Sequence, residues 1–323
     1  MDQTVEQTIN SYLNTIHESR SENTFRSYST AMNTFREVLK EHWIDSESPV
    51  SMLKVDAISW MLSHLKVYSV ATERLYTQSV KGYFQYLAGE NLAEINIPRM
   101  DLLIQKRSRR SGIRLPHFPR EDIEEIISFV NSLTNTIYDN PGERLRAYRD
   151  RAFILTLADT GLRVHEACNL HRGDIDWNEG RALLIGKGNK QAIVRFSSRC
   201  MDSLKDYLFQ RASIDGSFGR PLSSLPLFAR HDKGAGRKIK PITTATGRNI
   251  INDRVLQALG TQAQKRITPH SFRHYFVTTV LRAKGNLKLA QELARHASIQ
   301  VTQRYAHLSD DELDKGYHDI FEK

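Results

Sequence analysis

The stretch TPHSFRH, residues 268–274, places an imidazole and a guanidinium where an anion is already favoured. Thr268 can cap a helix and Pro269 suits its first position. His270 and Arg273, three apart, then share one face of the first turn. The free N–H groups and dipole of a helix start favour a phosphate, and the two side chains add charge and proton-transfer capacity. Taken alone, H-x-x-R is also an ordinary surface pair. In TGLRVHEACNL, residues 160–170, Gly161 can end one helix, so Arg163 projects from the start of the next as a planar bidentate donor. Glu166, three residues on, either holds that guanidinium or caps the helix. His165 reads as structural or solvent-facing. In IGKGNKQ, residues 185–191, Lys187 falls at the tip of a two-stranded hairpin. Flanking glycines let that tip approach another backbone closely. Lys187 could reach a nucleic-acid groove and deliver a proton, with Lys190 the competing candidate. Finally, QELARHASIQVTQRYAHL, residues 291–308, reads as two short amphipathic helices joined at a break. Leu293 and Ala294 end the first and Ser298 caps the second. His296 lies in the break, and Tyr305 follows nine residues later. A tyrosine on an apolar helix face ordinarily packs into a core.

The elements that must position these residues fall into two groups. In the first hundred residues, Val5, Ile9, Tyr12, Leu13 and Ile16 line one helix face, and Phe25, Tyr28, Met32, Phe35 and Leu39 line another. AISWMLSHL and LYTQSVKGYFQYLAG give two more helices, the last stopped near Gly89. Four such helices make a small bundle over residues 1–105. KRSRRSGIRLPHFPR, residues 106–120, lacks periodicity and reads as a linker over 106–118. It is either a solvated tether or a strand of cations laid along phosphates. From 119 to 323 the pattern is mixed. REDIEEIISFVNSL and RAFILTLADTG are helical, the second ending at Gly161. DIDWNEGRALLIGKGNKQAIVRF gives three short strands with turns at NEG and GKGNK. Helices resume near residue 199, interrupted by FARHDKGAGRKIKP. The expected fold is mainly α with a small antiparallel β-sheet: an N-terminal helical bundle followed by a mixed α/β domain.

Composition narrows the partner. The 323 residues carry a net charge of +9 and two cysteines, Cys168 and Cys200, too few for a disulfide framework and without zinc-ligand spacing. Residues 1–105 have a net charge of −4, residues 106–120 hold six cations and no acid, and residues 121–323 have a net charge of +7. A polyanion, nucleic acid before membrane, is the expected partner. No apolar run approaches a membrane span, the start MDQTVEQTIN lacks the regions of a signal peptide, and a reducing cytoplasm is the expected compartment.

The ordered set Arg163 in TGLRVHE, Lys187 in GKGNK, His270 and Arg273 in HSFRH, His296, and Tyr305 in TQRYAH resembles the tyrosine recombinases, the phage-integrase and Xer-type family. Each signal is weak alone; all six in this order, with the nine-residue step from His296 to Tyr305, are specific. The resemblance covers the domain from about residue 116 and, more loosely, the N-terminal bundle, which looks like the family's DNA-clamping core-binding domain. The chain starts directly at this bundle, without the arm-binding domain of lambda-like integrases, and so looks more Xer-like. One residue departs from the pattern: the family usually has glycine where this chain has Arg295.

The resemblance implies a site-specific recombinase. Tyr305 would attack a DNA phosphodiester and form a phosphotyrosyl bond to the 3′ end, so that rejoining needs neither ATP, metal nor other cofactor. It implies His270 as proton acceptor, Arg163 and Arg273 as stabilisers of the pentacoordinate phosphorus, Lys187 as the acid for the departing 5′ oxygen, and His296 as a donor to a non-bridging oxygen. Lys106, Arg107, Arg109 and Arg110 would contact DNA from the linker. Expected partners are duplex DNA with paired inverted half-sites and three further copies of the chain in a tetramer; whether a paralogue or accessory protein joins them is left open. A relaxing type IB topoisomerase and a non-catalytic DNA binder are the competing readings. The tail bears on the first. Ser309 and Glu312 form a capping-box pattern, and Leu313, Tyr317, Ile320 and Phe321 share one face of a short helix over 309–323. Such a helix is marginal alone. It either folds back on its own domain or, as the resemblance implies, enters a neighbouring protomer.

Overall fold

The computed structural model describes residues 3–109, 119–185, 191–217, 219–232, 234, 239–264, 266–303 and 305. The chain divides into two compact units, Met1–Arg114 and Leu115–Lys323.

The first unit is built from α1 (Val5–Ser19), α2 (Glu22–Glu41), α3 (Asp56–His64), α4 (Val70–Gly89) and α5 (Ile97–Arg107). Hydroxyl and amide side chains start these helices by accepting from backbone N–H groups: Thr4 from Gln7, Ser21 from Thr24, Ser69 from Thr72 and Asn96 from Arg99. Val5, Ile9, Tyr12 and Leu13 of α1 and Met32, Phe35, Val38 and Leu39 of α2 meet Val80, Tyr83, Phe84 and Leu87 of α4 in one core. The sequence pattern gives four helices here; the structure adds α5. Asn96 and Pro98 mark its start, and only Met100 of its residues is fully buried, so its periodic signal is faint. Lys106 and Arg107, expected in a linker, therefore form its last turn, where cations suit the negative helix end. Arg109 folds back on Glu73, which is fully buried. The Glu73 carboxylate accepts from the Arg109 backbone at 2.8 Å, from the Arg109 guanidinium, and from Lys66 at 3.1 Å. Burial pushes this carboxyl up, but the hydrogen bonds from Arg109 and Lys66 outweigh it and hold it below the usual carboxylate range. Arg110 lies outside the described residues.

The second unit contains α6 (Arg120–Ser132), α7 (Pro141–Thr160), α8 (Val164–Cys168), β1 (Ile175–Asp176), β2 (Arg181–Ile185), β3 (Gln191–Arg195), α9 (Ser198–Gly216), α10 (Thr244–Leu259), α11 (Pro269–Lys284), α12 (Leu287–Ala294) and α13 (Ile299–Gln303). Helix α7 is its axis. From Ala152 to Ala158 every residue is buried, which marks a central rather than a surface helix. It packs among α6, α9 and α11. The sheet is antiparallel in the order β1-β2-β3, with Ala182 opposite Val194 and both side chains in the core. The expected turn at NEG is present, with Gly180 at φ 59°; the GKGNK turn, with Lys187 and Lys190, lies outside the described residues, as does the tail 309–323. Among the described residues no helix is long and apolar enough to cross a membrane.

Candidate active site

The corner between α7 and α8 sets the site. Gly161 ends α7 at φ 60°, a left-handed backbone that glycine adopts at little cost. A side chain there would also strike the Phe276 ring, with a Cβ 2.5 Å from it. The turn aims the Gly161 carbonyl at α11, where the Arg273 Nη1 donates to it at 2.5 Å. Arg273 Nη2 donates to the carbonyl of Ala294, the last residue of α12. The Arg273 side chain is only 2% exposed and its described partners are neutral carbonyls, so its charge is anchored but not cancelled. Burial first, then the nearby Arg163 and Arg295, lowers its pKa to about 10, still well above neutral pH.

Arg163 stands at the N-cap of α8 and is exposed. Both readings of Glu166 hold at once: its Oε2 accepts from the Arg163 backbone at 2.8 Å, capping the helix, and its Oε1 accepts from Arg163 Nη1 at 2.8 Å. Burial alone would raise the Glu166 carboxyl, but Arg163 and Arg295 hold it below the usual range.

Helix α11 begins as the sequence predicts, with Thr268 at the N-cap and Pro269 in the first turn. The Ser271 hydroxyl accepts from the Thr268 N–H at 3.1 Å. His270 is exposed at this helix start, and Arg273 points inward. His274, one turn after His270, lies against it edge-on with ring centroids 4.4 Å apart. His274 in turn meets the Tyr305 ring edge-on at 4.6 Å. Burial and the nearby arginines hold His270 below its ordinary value, and burial, His270 and Arg273 push His274 down to about 4. His274 is therefore neutral at pH 7, and His270 is shifted toward its neutral form.

The break between α12 and α13 falls where the sequence puts it. Ser298 accepts from the Gln300 N–H at 3.3 Å and starts α13. His296 is buried in the break. Its N–H donates to the Gln291 carbonyl at 3.1 Å, the Gln291 side chain donates to its carbonyl at 3.1 Å, and its Nδ1 lies 2.8 Å from the Thr302 hydroxyl. Burial, then Arg273, lowers it to about 4. Tyr305 stacks on His296 with centroids 6.0 Å apart and planes within 14°. Its ring also packs against the small cluster of Val277, Ala290 and Ala294. So Tyr305, in a turn beyond α13 rather than on a helix face, does pack on apolar side chains, while its neighbours are two histidines and nearby arginines.

Arg295 ends α12 at φ 56° and ψ 45°, a left-handed conformation that costs a non-glycine residue roughly 1 kcal/mol. Its Nη2 donates to Glu166 Oε2 at 3.2 Å and approaches the Gly161 carbonyl at 3.5 Å. The structure thus brings Arg163, His270, Arg273, His296 and Tyr305 together from the N-cap of α8, from α11, from the α12–α13 break and from a turn just beyond α13. Lys106, Arg107 and Arg109 belong to the other unit.

The model of the phage integrase family matches residues 119–312, more than half of the chain. The chain belongs to the phage integrase family. It is a tyrosine recombinase, and its likeness to Xer-type members runs nearly end to end. It is 30% identical over 299 residues to the tyrosine recombinase XerC of Anoxybacillus flavithermus, covering 92% of this chain and 91% of that protein. It is 28% identical over 309 residues to XerC of Listeria welshimeri, covering 95% and 94%. The fold is similar to that of the XerH site-specific recombinase bound to its difH substrate in a pre-cleavage complex, with TM-score 0.69, 19% identity, and 97% of this chain and 94% of that chain covered. It is also similar to a lambda integrase (75–356) dimer bound to a COC′ core site, with TM-score 0.65, 17% identity, and 94% and 96% covered.

Sequence reasoning did not single out two side chains of this integrase-family site. His274 was legible, since HSFRH puts it four residues from His270 on the same face. Thr302, six residues after His296, depends on the fold, as does the reach of Arg295, noted in the sequence only as a departure from glycine, to Glu166.

Proposed function

We propose that the chain cuts and rejoins duplex DNA at specific sites through Tyr305. In this reading the Tyr305 Oη attacks the scissile phosphorus, a bond to the 3′-phosphate forms, and the bond to the 5′ oxygen breaks. The tyrosine proton passes to His270, which burial and the nearby arginines shift toward the neutral form that can accept it. Arg273 and Arg163 stabilise the added charge on the pentacoordinate phosphorus as preorganised donors. With the Thr302 hydroxyl donating to Nδ1, His296 carries its proton on Nε2 and donates to a non-bridging oxygen. Lys187 protonates the departing 5′ oxygen. The 5′ hydroxyl of a second strand then reverses the steps, and the stored phosphotyrosyl bond supplies the energy for joining.

The observation that carries this reading is the arrangement at Tyr305. A tyrosine is stacked on one neutral histidine and edge-on to another, beside a buried arginine whose hydrogen bonds among the described residues go to two backbone carbonyls. A structural tyrosine needs none of these. DNA with two inverted half-sites is the proposed partner, gripped by both units and by Lys106, Arg107 and Arg110, with four copies of the chain on two sites. Arg109, tied to Glu73, contributes less free charge. The tail 309–323 docking into a neighbouring copy would couple the placement of Tyr305 to assembly.

Supercoiled plasmid carrying sites that the protein itself selects from a genomic DNA pool tests the reading. A recombinase converts two-site plasmid to resolved or inverted products and leaves site-free plasmid alone. Relaxation of site-free plasmid would mark a topoisomerase, and retention without any strand breakage a DNA binder.

A further inference from the structure

Arg295 occupies its position against several costs. Its backbone is left-handed, where glycine is the ordinary residue. Its Nε is buried without a hydrogen-bond partner among the described residues. Its guanidinium also lies close enough to Arg163 and Arg273 to add to the positive field that lowers the pKa of Arg273. What it gains is a carboxylate: Glu166 Oε2, 3.2 Å from Nη2.

That carboxylate is the one holding Arg163. Glu166 accepts from the Arg163 backbone through Oε2 and from the Arg163 side chain through Oε1. Three interactions from two arginines thus converge on one carboxylate. The two arginines differ in access. The Arg163 side chain is 45% exposed and that of Arg295 is 11% exposed. Arg163 can swing toward a ligand, whereas Arg295 is packed in place. If Arg163 alone neutralised Glu166, its departure to a phosphate would leave a part-buried carboxylate unpaired beside an incoming anion, and like charges repel. With Arg295 in place, Glu166 keeps a cationic partner.

Building on the proposed function, we infer that Arg295 is a positioning residue: it holds Glu166 so that Arg163 is released to the scissile phosphate. Arg295 acts through Glu166 and does not touch the DNA. Its left-handed backbone is what lets a side chain leaving the end of α12 reach the α7–α8 corner.

The test is the single-turnover rate of covalent adduct formation by the full chain on a saturating nicked duplex. R295G relaxes the backbone and should fold at least as stably as the wild type, with unchanged DNA affinity, yet form adduct about tenfold more slowly. R295K keeps the charge and R295M keeps the bulk, so R295K should be the faster. In an E166Q background, where no carboxylate needs holding, R295G should cost nothing further. Full speed in R295G, equal rates in R295K and R295M, or the same loss in both backgrounds would each overturn the inference; if E166Q cleaves too slowly to measure, the R295K and R295M pair decides. These failures are distinct from failure of the proposed function, in which the wild-type protein itself would form no adduct.

Discussion

Two guanidinium groups meet at the α7–α8 corner under different rules. Arg273 is buried and anchored by the carbonyls of Gly161 and Ala294. Arg163 is exposed and held by the carboxylate of Glu166. Neutral dipoles fix a cation in place while leaving its charge free to act, which is how a preorganised anion site is made. A carboxylate fixes a cation by cancelling it, and a guanidinium on the exposed side of such a pair is loosely held. The site therefore pairs one rigid charge that no carboxylate hydrogen-bonds among the described residues with one mobile charge that a carboxylate holds, and only the second has to rearrange when a phosphate arrives.

Substitution of each arginine should separate the two kinds. Arg273→Ala should lower adduct formation by about 10³-fold and, by stranding two carbonyls in the core, lower stability by about 2 kcal/mol. Arg163→Ala should lower cleavage by about 10²-fold and leave stability within about 0.5 kcal/mol. Thermal or urea unfolding beside single-turnover cleavage reads both effects; a larger stability loss at Arg163 would break the contrast. A smaller effect is expected at Thr302, which holds the His296 ring from one side. Thr302→Val should slow cleavage about tenfold, and Thr302→Ser should retain the rate.

Much of this site was legible in the sequence because its parts are local. Thr268 and Pro269 announce a helix start, so His270 and Arg273 could be placed on its first turn. Gly161 announces a helix end, and the step from Ala294 to Ser298 announces a break. What could not be read is where carbonyls and carboxylates from distant elements arrive. That Gly161 receives Arg273, 112 residues away, and that Glu166 receives Arg295, 129 residues away, is decided by how α11 packs on α7 and α12 on α11. In the first unit the same limit hid α5. Its single deeply buried residue, Met100, gives too little periodicity, and the recoil of Arg109 onto Glu73 is a tertiary contact that a run of cations does not advertise.

The histidines extend the comparison to pH. His274 and His296 have folded pKa values near 4, pushed down first by burial, against about 6.5 unfolded. Their contribution to stability is whole above pH 6.5 and is lost as pH falls toward 4, because the unfolded chain takes up protons that the folded chain refuses. Unfolding free energy should fall across that window, and His274→Gln should make the slope shallower; an unchanged slope would show that the ring is not held neutral by the fold. The smallest effects belong to the first unit. Replacing Lys106 and Arg107 with alanine should flatten the salt dependence of DNA binding by about two phosphate contacts. Arg109→Ala should instead lower the melting temperature, since its charge serves Glu73. The reverse result would place Arg109 on the DNA.

Tyr305 as the nucleophile is tested most directly by trapping the protein on a nicked suicide duplex and mapping the DNA-linked peptide by mass spectrometry. The wild-type protein should carry DNA on the peptide containing Tyr305, and Tyr305→Phe should carry none. A DNA-linked peptide in the Tyr305→Phe protein, or a wild-type adduct on any other tyrosine, would contradict it.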